Sequence, residues 1–206
     1  MKACGFNTLR KHIKTEPMRF YYYCDKYGMI VFQDFINSGK YSFLIDTAFP
    51  NVFVKKGINH KANKTRYDEF FKTGEGILKL LYNSPCVCYY TIFNEGWGQF
   101  NGDKCFEHFK NLDNSRIFDT ASGWFKTRLS DVYSEHIYFK PVKIKDKPDK
   151  PIVLSEFGGY SCKIENHSFN SQKTFGYRFY KDKGKFENAL LKLYNNEIAP
   201  AFFEGL

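Results

Sequence analysis

Apolar residues in this chain fall in short runs that close, repeatedly, on a carboxylate. Met29-Ile30-Val31-Phe32-Gln33-Asp34 is one such run, and Thr91-Ile92-Phe93 leads into Asn94-Glu95 and a Gly-Trp-Gly turn. Pro151 to Gly159 (PIVLSEFGG) repeats the grammar, with Glu156 followed by glycines. Runs without polar alternation predict strands buried on both faces, as in parallel sheets. Between them the spacing becomes helical: Tyr67, Phe70, Phe71, Gly74, Leu78 and Leu81 place an amphipathic helix over 66–82, ended by Asn83-Ser84-Pro85.

Taken in order, the pattern predicts a strand at 6–10 and then a helix with Thr15 as N-cap, Pro17 in its first turn and Gly28 closing it. With the strand at 29–34 this makes one βαβ unit. Residues 35–65 show no period and read as a long loop over the active face. Further strands are expected at 86–93, 115–121, 131–138 and 151–155, a short helix at 103–112, and a final helix at 185–204 that Pro200 breaks or kinks. Six strands alternating with about four helices point to the α/β class and a (β/α)8 TIM-barrel type, incomplete by two strands, within a single domain spanning 1–206. Glu95 and Glu156 then stand at strand C-termini, where such folds hold their chemistry.

Composition narrows the partners. With 43% hydrophobic and 19% aromatic residues the chain can build a well-buried core. The formal charge of +9 raises the question of nucleic acid, yet the lysines are spread over 40–79 and 140–185. They are densest in KPVKIKDKPDK (140–150), which alternates with Pro and Asp like a solvated loop. No continuous basic face results, so nucleic acid is not an expected partner. The absence of a long apolar run or an apolar leader points to a cytoplasmic protein without a membrane segment. The six cysteines form no Cys-x-x-Cys pair, so neither a metal site nor a disulfide is expected, and Cys86 and Cys88 read as strand packing. No cofactor motif is present.

Two glutamates at parallel strand ends suit glycoside hydrolysis, which needs one protonated carboxyl and one ionised carboxylate. The plainer alternatives are that Glu95 accepts from backbone amides of its own turn and that Glu156 pairs with Arg10 or a lysine. Arg10 and His136 equally fit the task of satisfying buried carboxylates. Trp97 and Trp124 read as sugar platforms or as packing residues, and Tyr21-Tyr22-Tyr23 as helix-face packing.

Five stretches in fixed order carry a more specific resemblance: GFNTLRKHIK (5–14), CDKYGMIVFQDF (24–35), TIFNEGWG (91–98), SEHIYF (134–139) and SEFGG (155–159). Together they resemble the catalytic barrel of glycoside hydrolase family 2, the family of β-galactosidases, β-glucuronidases and β-mannosidases. The resemblance implies that Glu95 is the acid/base and Glu156 the nucleophile of a retaining mechanism acting on a β-linked saccharide. It places them on the fourth and seventh barrel strands, with carboxyls about 5–5.5 Å apart. It further implies that Asn94 binds the sugar 2-hydroxyl, that Tyr138 orients the nucleophile, and that His12, Arg10, Asp34 and His136 line or support the pocket. Trp97 is a candidate platform. In the family, β-sandwich domains precede the barrel and an eighth strand follows, so the first and last barrel strands are expected to be absent here. The expected consequence is a fragment, an open six-stranded sheet with two unpaired edges that missing segments or self-association would cover. β-Galactoside is the first expectation for the sugar, and a non-catalytic carbohydrate-binding fragment is the alternative.

Overall fold

The computed structural model describes residues 1–37, 39, 42, 44, 60–143, 149–168, 170 and 172–206. The loop expected over 35–65 lies largely outside these residues, as does the middle of the lysine-rich segment. The chain forms two compact units, Met1–Ser134 and Glu135–Leu206.

The first unit is built on four parallel strands in the order β1 (Thr8–Lys11), β2 (Ile30–Asp34), β3 (Val87–Asn94) and β4 (Ile117–Ser122). Among the described residues three helices lie between them: α1 (Met18–Tyr27), α2 (Lys64–Leu81) and α3 (Gly102–Leu112). Helix α1 begins after Pro17, which takes the N-cap position in place of Thr15, and ends on Gly28 at φ 64°. That left-handed turn costs glycine little. Helix α2 starts two residues before the expected position 66 because the Asn63 side chain accepts from the Arg66 amide at 2.9 Å and fixes the first turn.

Strand alternation sorts the residues of this sheet onto two faces. On the helix-covered face Val31, Phe35, Tyr90, Ile92 and Phe118 join Phe70, Phe71, Leu78 and Phe109 in one aromatic core. Phe35 packs edge-on against Phe109 at 4.7 Å, and Phe70 stacks on Phe93 at 5.1 Å. The opposite face is polar: Arg10, Asp34, Tyr89 and Asp119 lie on it, with the Phe32 and Tyr89 rings stacked at 4.1 Å. A sheet with a dry face and a charged, buried face is a scaffold for a site, because the charges are held without competing water.

In the second unit β5 (Tyr133–Ile137), which begins at the boundary, pairs with β6 (Ile152–Phe157), and two short parallel strands, β7 (Tyr160–Cys162) and β8 (Arg178–Tyr180), form a separate pair. Among the described residues the hydrogen-bonded strands thus group as four, two and two, where the sequence suggested a single sheet of six. The expected C-terminal helix is divided into α4 (Lys183–Leu193), a π-helical turn (Tyr194–Ile198) and α5 (Ala199–Phe203). Pro200 lies in the first turn of α5, so the wider turn before it absorbs the backbone bond that proline cannot donate. Ile137, Val142 and Ala201 form a small core with Leu154, Ile198 and Leu206 around them.

Candidate active site

The polar end of β1 converges on one carboxylate. Asp34, 1% exposed, accepts from Arg10 Nε and Nη2, each at 3.0 Å, while His12 Nδ1 lies 2.8 Å from Asp34 Oδ2. The Ile13 amide donates to the same oxygen at 3.3 Å, and Ile13 takes φ 44°, an unusual value for a β-branched residue. The chain is bent around Asp34 at some conformational cost. Burial pushes the Asp34 carboxyl up, but the His12 bond and the Arg10 guanidinium more than offset it, and its pKa falls below the ordinary value. Asp34 is therefore ionised, and His12 Nδ1 carries the proton between them.

Arg10 Nη2 also donates to Asn94 Oδ1 at 2.9 Å. Asp34, Arg10, His12 and Asn94 thus form one connected group, built from β1, β2 and the tip of β3. The next residue, Glu95, takes φ 54°, and its amide donates to Ser122 O on β4 at 3.0 Å. The turn that follows is tied down at several points. Trp97 N donates to Asn94 O at 3.0 Å, Trp97 Nε1 to Gly39 O at 2.9 Å, and buried Gln99 donates to Phe125 O at 2.9 Å. Trp97 is half-buried by this anchoring, whereas Trp124 is buried.

In the second unit the Tyr138 hydroxyl donates to Glu156 Oε2, and His136 Nε2 lies 3.6 Å from Glu156 Oε1. The His136 side chain is fully buried and that of Glu156 is 29% exposed. The Tyr138 ring is wedged against Tyr177 at 4.4 Å, which fixes the hydroxyl's position. Two glycines follow, at φ 75° and 65°; a side chain on Gly159 would meet the Tyr177 ring at 2.4 Å. The Ser-Glu-Phe-Gly-Gly pattern is thus a strand end that must turn left-handed twice beneath an aromatic side chain.

The sequence-predicted residues therefore fall into two constellations: Arg10, His12, Asp34 and Asn94, adjoining Glu95 and Trp97, and separately His136, Tyr138 and Glu156. Arg10 does satisfy a buried carboxylate, that of Asp34, and reaches Asn94 as well. Tyr21 is fully buried and donates to Gln33 Oε1 at 2.6 Å, while Tyr22 and Tyr23 are exposed and pack on each other. One buried acid escaped the sequence reading. Asp119, 1% exposed, accepts from Tyr89 Oη at 2.9 Å, and burial raises its pKa above the ordinary value. Its signal was present in Arg116 to Ala121 (RIFDTA), an acid in the middle of an apolar strand. No described helix is long and apolar enough to cross a membrane.

Comparison with known proteins bears on this geometry. A β-galactosidase of Leuconostoc mesenteroides is 25% identical over 135 residues, 64% of this chain and 12% of that protein. Among solved structures, a Parabacteroides merdae β-glucuronidase with glycerol in its active site superposes with a TM-score of 0.50 at 16% identity, over 68% of this chain and 17% of its own. The apo structure of Bacteroides uniformis β-glucuronidase 3 gives a TM-score of 0.49 at 17% identity, over 66% and 17%. The chain thus spans less than a fifth of the length of these relatives. The description "Glycosyl hydrolases family 2, TIM barrel domain" matches residues 1–183. By that match, and with parallel strands alternating with helices and acids at their ends, the chain belongs to glycosyl hydrolase family 2.

Proposed function

We propose that this chain forms catalytic barrel structure of a retaining exo-β-glycosidase, with Glu156 as nucleophile and Glu95 as acid/base. The observation that carries the reading is the environment of Glu156: a partly exposed carboxylate at a strand end, engaged by the Tyr138 hydroxyl and facing a buried histidine. A hydroxyl donor to the ionised form stabilises the carboxylate as a nucleophile.

In the proposed reaction a Glu156 oxygen bonds to the anomeric carbon while the bond from that carbon to the leaving oxygen breaks. The Glu95 proton passes to the leaving oxygen. Glu95, now a carboxylate, takes a proton from water, whose oxygen attacks the anomeric carbon and releases Glu156 from its ester. Asn94, its amide oxygen engaged by Arg10, offers its N–H donors to the sugar 2-hydroxyl. A β-galactoside is the substrate we propose first, supported by the similarity to the Leuconostoc enzyme.

The test is covalent trapping. The chain, incubated with aryl 2-deoxy-2-fluoro-β-glycosides of galactose, glucuronic acid and mannose, should gain one glycosyl mass located on the peptide that contains Glu156. Glu156→Gln should gain none. An unlabelled wild-type chain that also fails to turn over any aryl β-glycoside overturns the proposal.

A further inference from the structure

The turn that carries Glu95 follows an improbable backbone path. Between the end of β3 and the start of α3, Glu95, Gly96, Gly98 and Asn101 all take positive φ, at 54°, 73°, 62° and 42°. Two of these are not glycine, so the path is strained, and the two glycines leave the turn many alternatives. Contacts from outside the turn are needed to select this one conformation.

Gln99 is placed to supply them. It is fully buried, and its side-chain Nε2 donates to Phe125 O at 2.9 Å. Its backbone is held as well: Gln99 N donates to Gly96 O at 3.0 Å, and Gln99 O accepts from the His60 amide at 2.8 Å. At the other end of the turn the Glu95 amide donates to Ser122 O at 3.0 Å. The turn is thus fastened at two points to one short stretch, 122–125, where β4 ends. That stretch is itself fixed, since Phe125 is buried and takes φ 60°. The next residue after Gln99, Phe100, is set into the aromatic core, 5.2 Å from Phe70 and 5.5 Å from Phe93.

A buried amide is costly. Gln99 Oε1 has no hydrogen-bond partner among the described residues, and a methionine of similar volume would be buried at less cost. The side chain is therefore better suited to fixing a geometry than to adding stability. Removing its donor leaves the strained turn free to relax, and a displacement of about 1 Å at a reacting group can cost about 100-fold in rate.

We propose that Gln99 is a positioning residue for the acid/base: its bond to Phe125 O holds the left-handed backbone at Glu95 and so aims that carboxyl at the leaving oxygen. The inference rests on the role proposed above for Glu95.

The experiment compares the full chain with Gln99→Met, which keeps the volume and loses the donor. If that variant does not fold, Gln99→Asn, which keeps the amide but falls short of Phe125 O, takes its place. Amide exchange, followed by ¹H–¹⁵N spectra, should accelerate at Glu95 by about tenfold more than at Phe35, whose amide donates to Thr91 O in the same sheet. Turnover is then read on aryl β-galactosides of graded leaving-group basicity. A 2,4-dinitrophenolate leaves without a proton, so its kcat/KM should fall by less than about threefold, whereas a phenyl glycoside should lose about 30- to 100-fold. A purely structural role would lower all substrates alike. Losses equal across the series, or Glu95 exchange that merely follows Phe35, overturn the inference. If Glu156 still gains its glycosyl adduct in that case, the glycosidase reading stands and only the role of Gln99 is lost. A wild-type chain with neither turnover nor adduct removes that reading and this role together.

Discussion

Asp34→Asn is the most informative single perturbation of the first constellation. Asp34 is 1% exposed, and the Arg10 side chain facing it is 14% exposed, so solvent screens their attraction little. Removing one partner of a buried pair costs about 3–5 kcal/mol, because the other charge stays buried without compensation. Asparagine keeps one acceptor for Arg10 but turns an N–H₂ toward a second donor, so the lower end, about 3 kcal/mol, is expected. At a urea slope of about 2 kcal/mol/M this moves the unfolding midpoint down by about 1.5 M. Both tryptophans, Trp97 and Trp124, lie in the first unit, so their fluorescence reports on that unit. The pH dependence follows from the lowered Asp34 pKa. A depressed carboxylate contributes its stability above the unfolded value of about 3.9 and loses it as pH falls through the folded value below that. The gap between wild type and Asp34→Asn should therefore hold from neutral pH down to about 4 and close only beneath it. A double-mutant cycle with Arg10→Met should give a coupling of about 2 kcal/mol. A midpoint shift equivalent to less than about 0.5 kcal/mol would refute the reasoning.

Three further outcomes test the packing and the site. Gly74→Ala should destabilise the first unit by about 1–2 kcal/mol in urea unfolding: the new methyl meets the Phe109 ring at 2.6 Å, and overpacking outweighs the gain in helix propensity of about 1 kcal/mol. A raised midpoint would show that the ring can yield. Tyr138→Phe, read as kcat/KM on an aryl β-galactoside, should lose about 10- to 100-fold, the equivalent of one hydrogen bond to a charged group, with unfolding behaviour near wild type. Glu95→Gly should be more stable than Glu95→Ala by about 1 kcal/mol, because residue 95 sits at φ 54° where only glycine is unstrained, and both variants should lose the turnover proposed for Glu95 as acid/base.

Strand positions were legible because parallel strands are nearly continuous apolar runs, and β2, β3 and β4 each fall within one or two residues of the pattern. Helix α2 was legible for a related reason, although Gly74 entered the periodicity for its small size against Phe109 and not for apolarity. Strands β7 and β8 were not legible: each has three residues, too few for any period, and their pairing depends on the double-glycine turn after Glu156. The split of the C-terminal helix was half legible, since proline announces a break but does not say which turn widens. In the site, acids at strand ends could be read from order alone. The close approach of Gly39 to Gly98 could not, because it leaves no trace in spacing.

The same distinction explains what the structure adds to the Asn94-Glu95 pair. The dipeptide alone does not say which way the amide of Asn94 faces, and its two ends have opposite hydrogen-bonding character. Arginine has only donors, so the atom held at 2.9 Å from Arg10 Nη2 is the amide oxygen on chemical grounds. Asp34 in turn holds Arg10 by two bonds, which are charge-assisted while it is ionised. The orientation of Asn94 is thus set by a charge buried one strand away. Protonating or neutralising Asp34 should loosen Arg10 and free the amide to rotate. Asp34→Asn should accordingly raise KM and lower kcat for a 2-hydroxy glycoside more than for its 2-deoxy counterpart. Equal losses on both would mean that Asp34 supports only the fold.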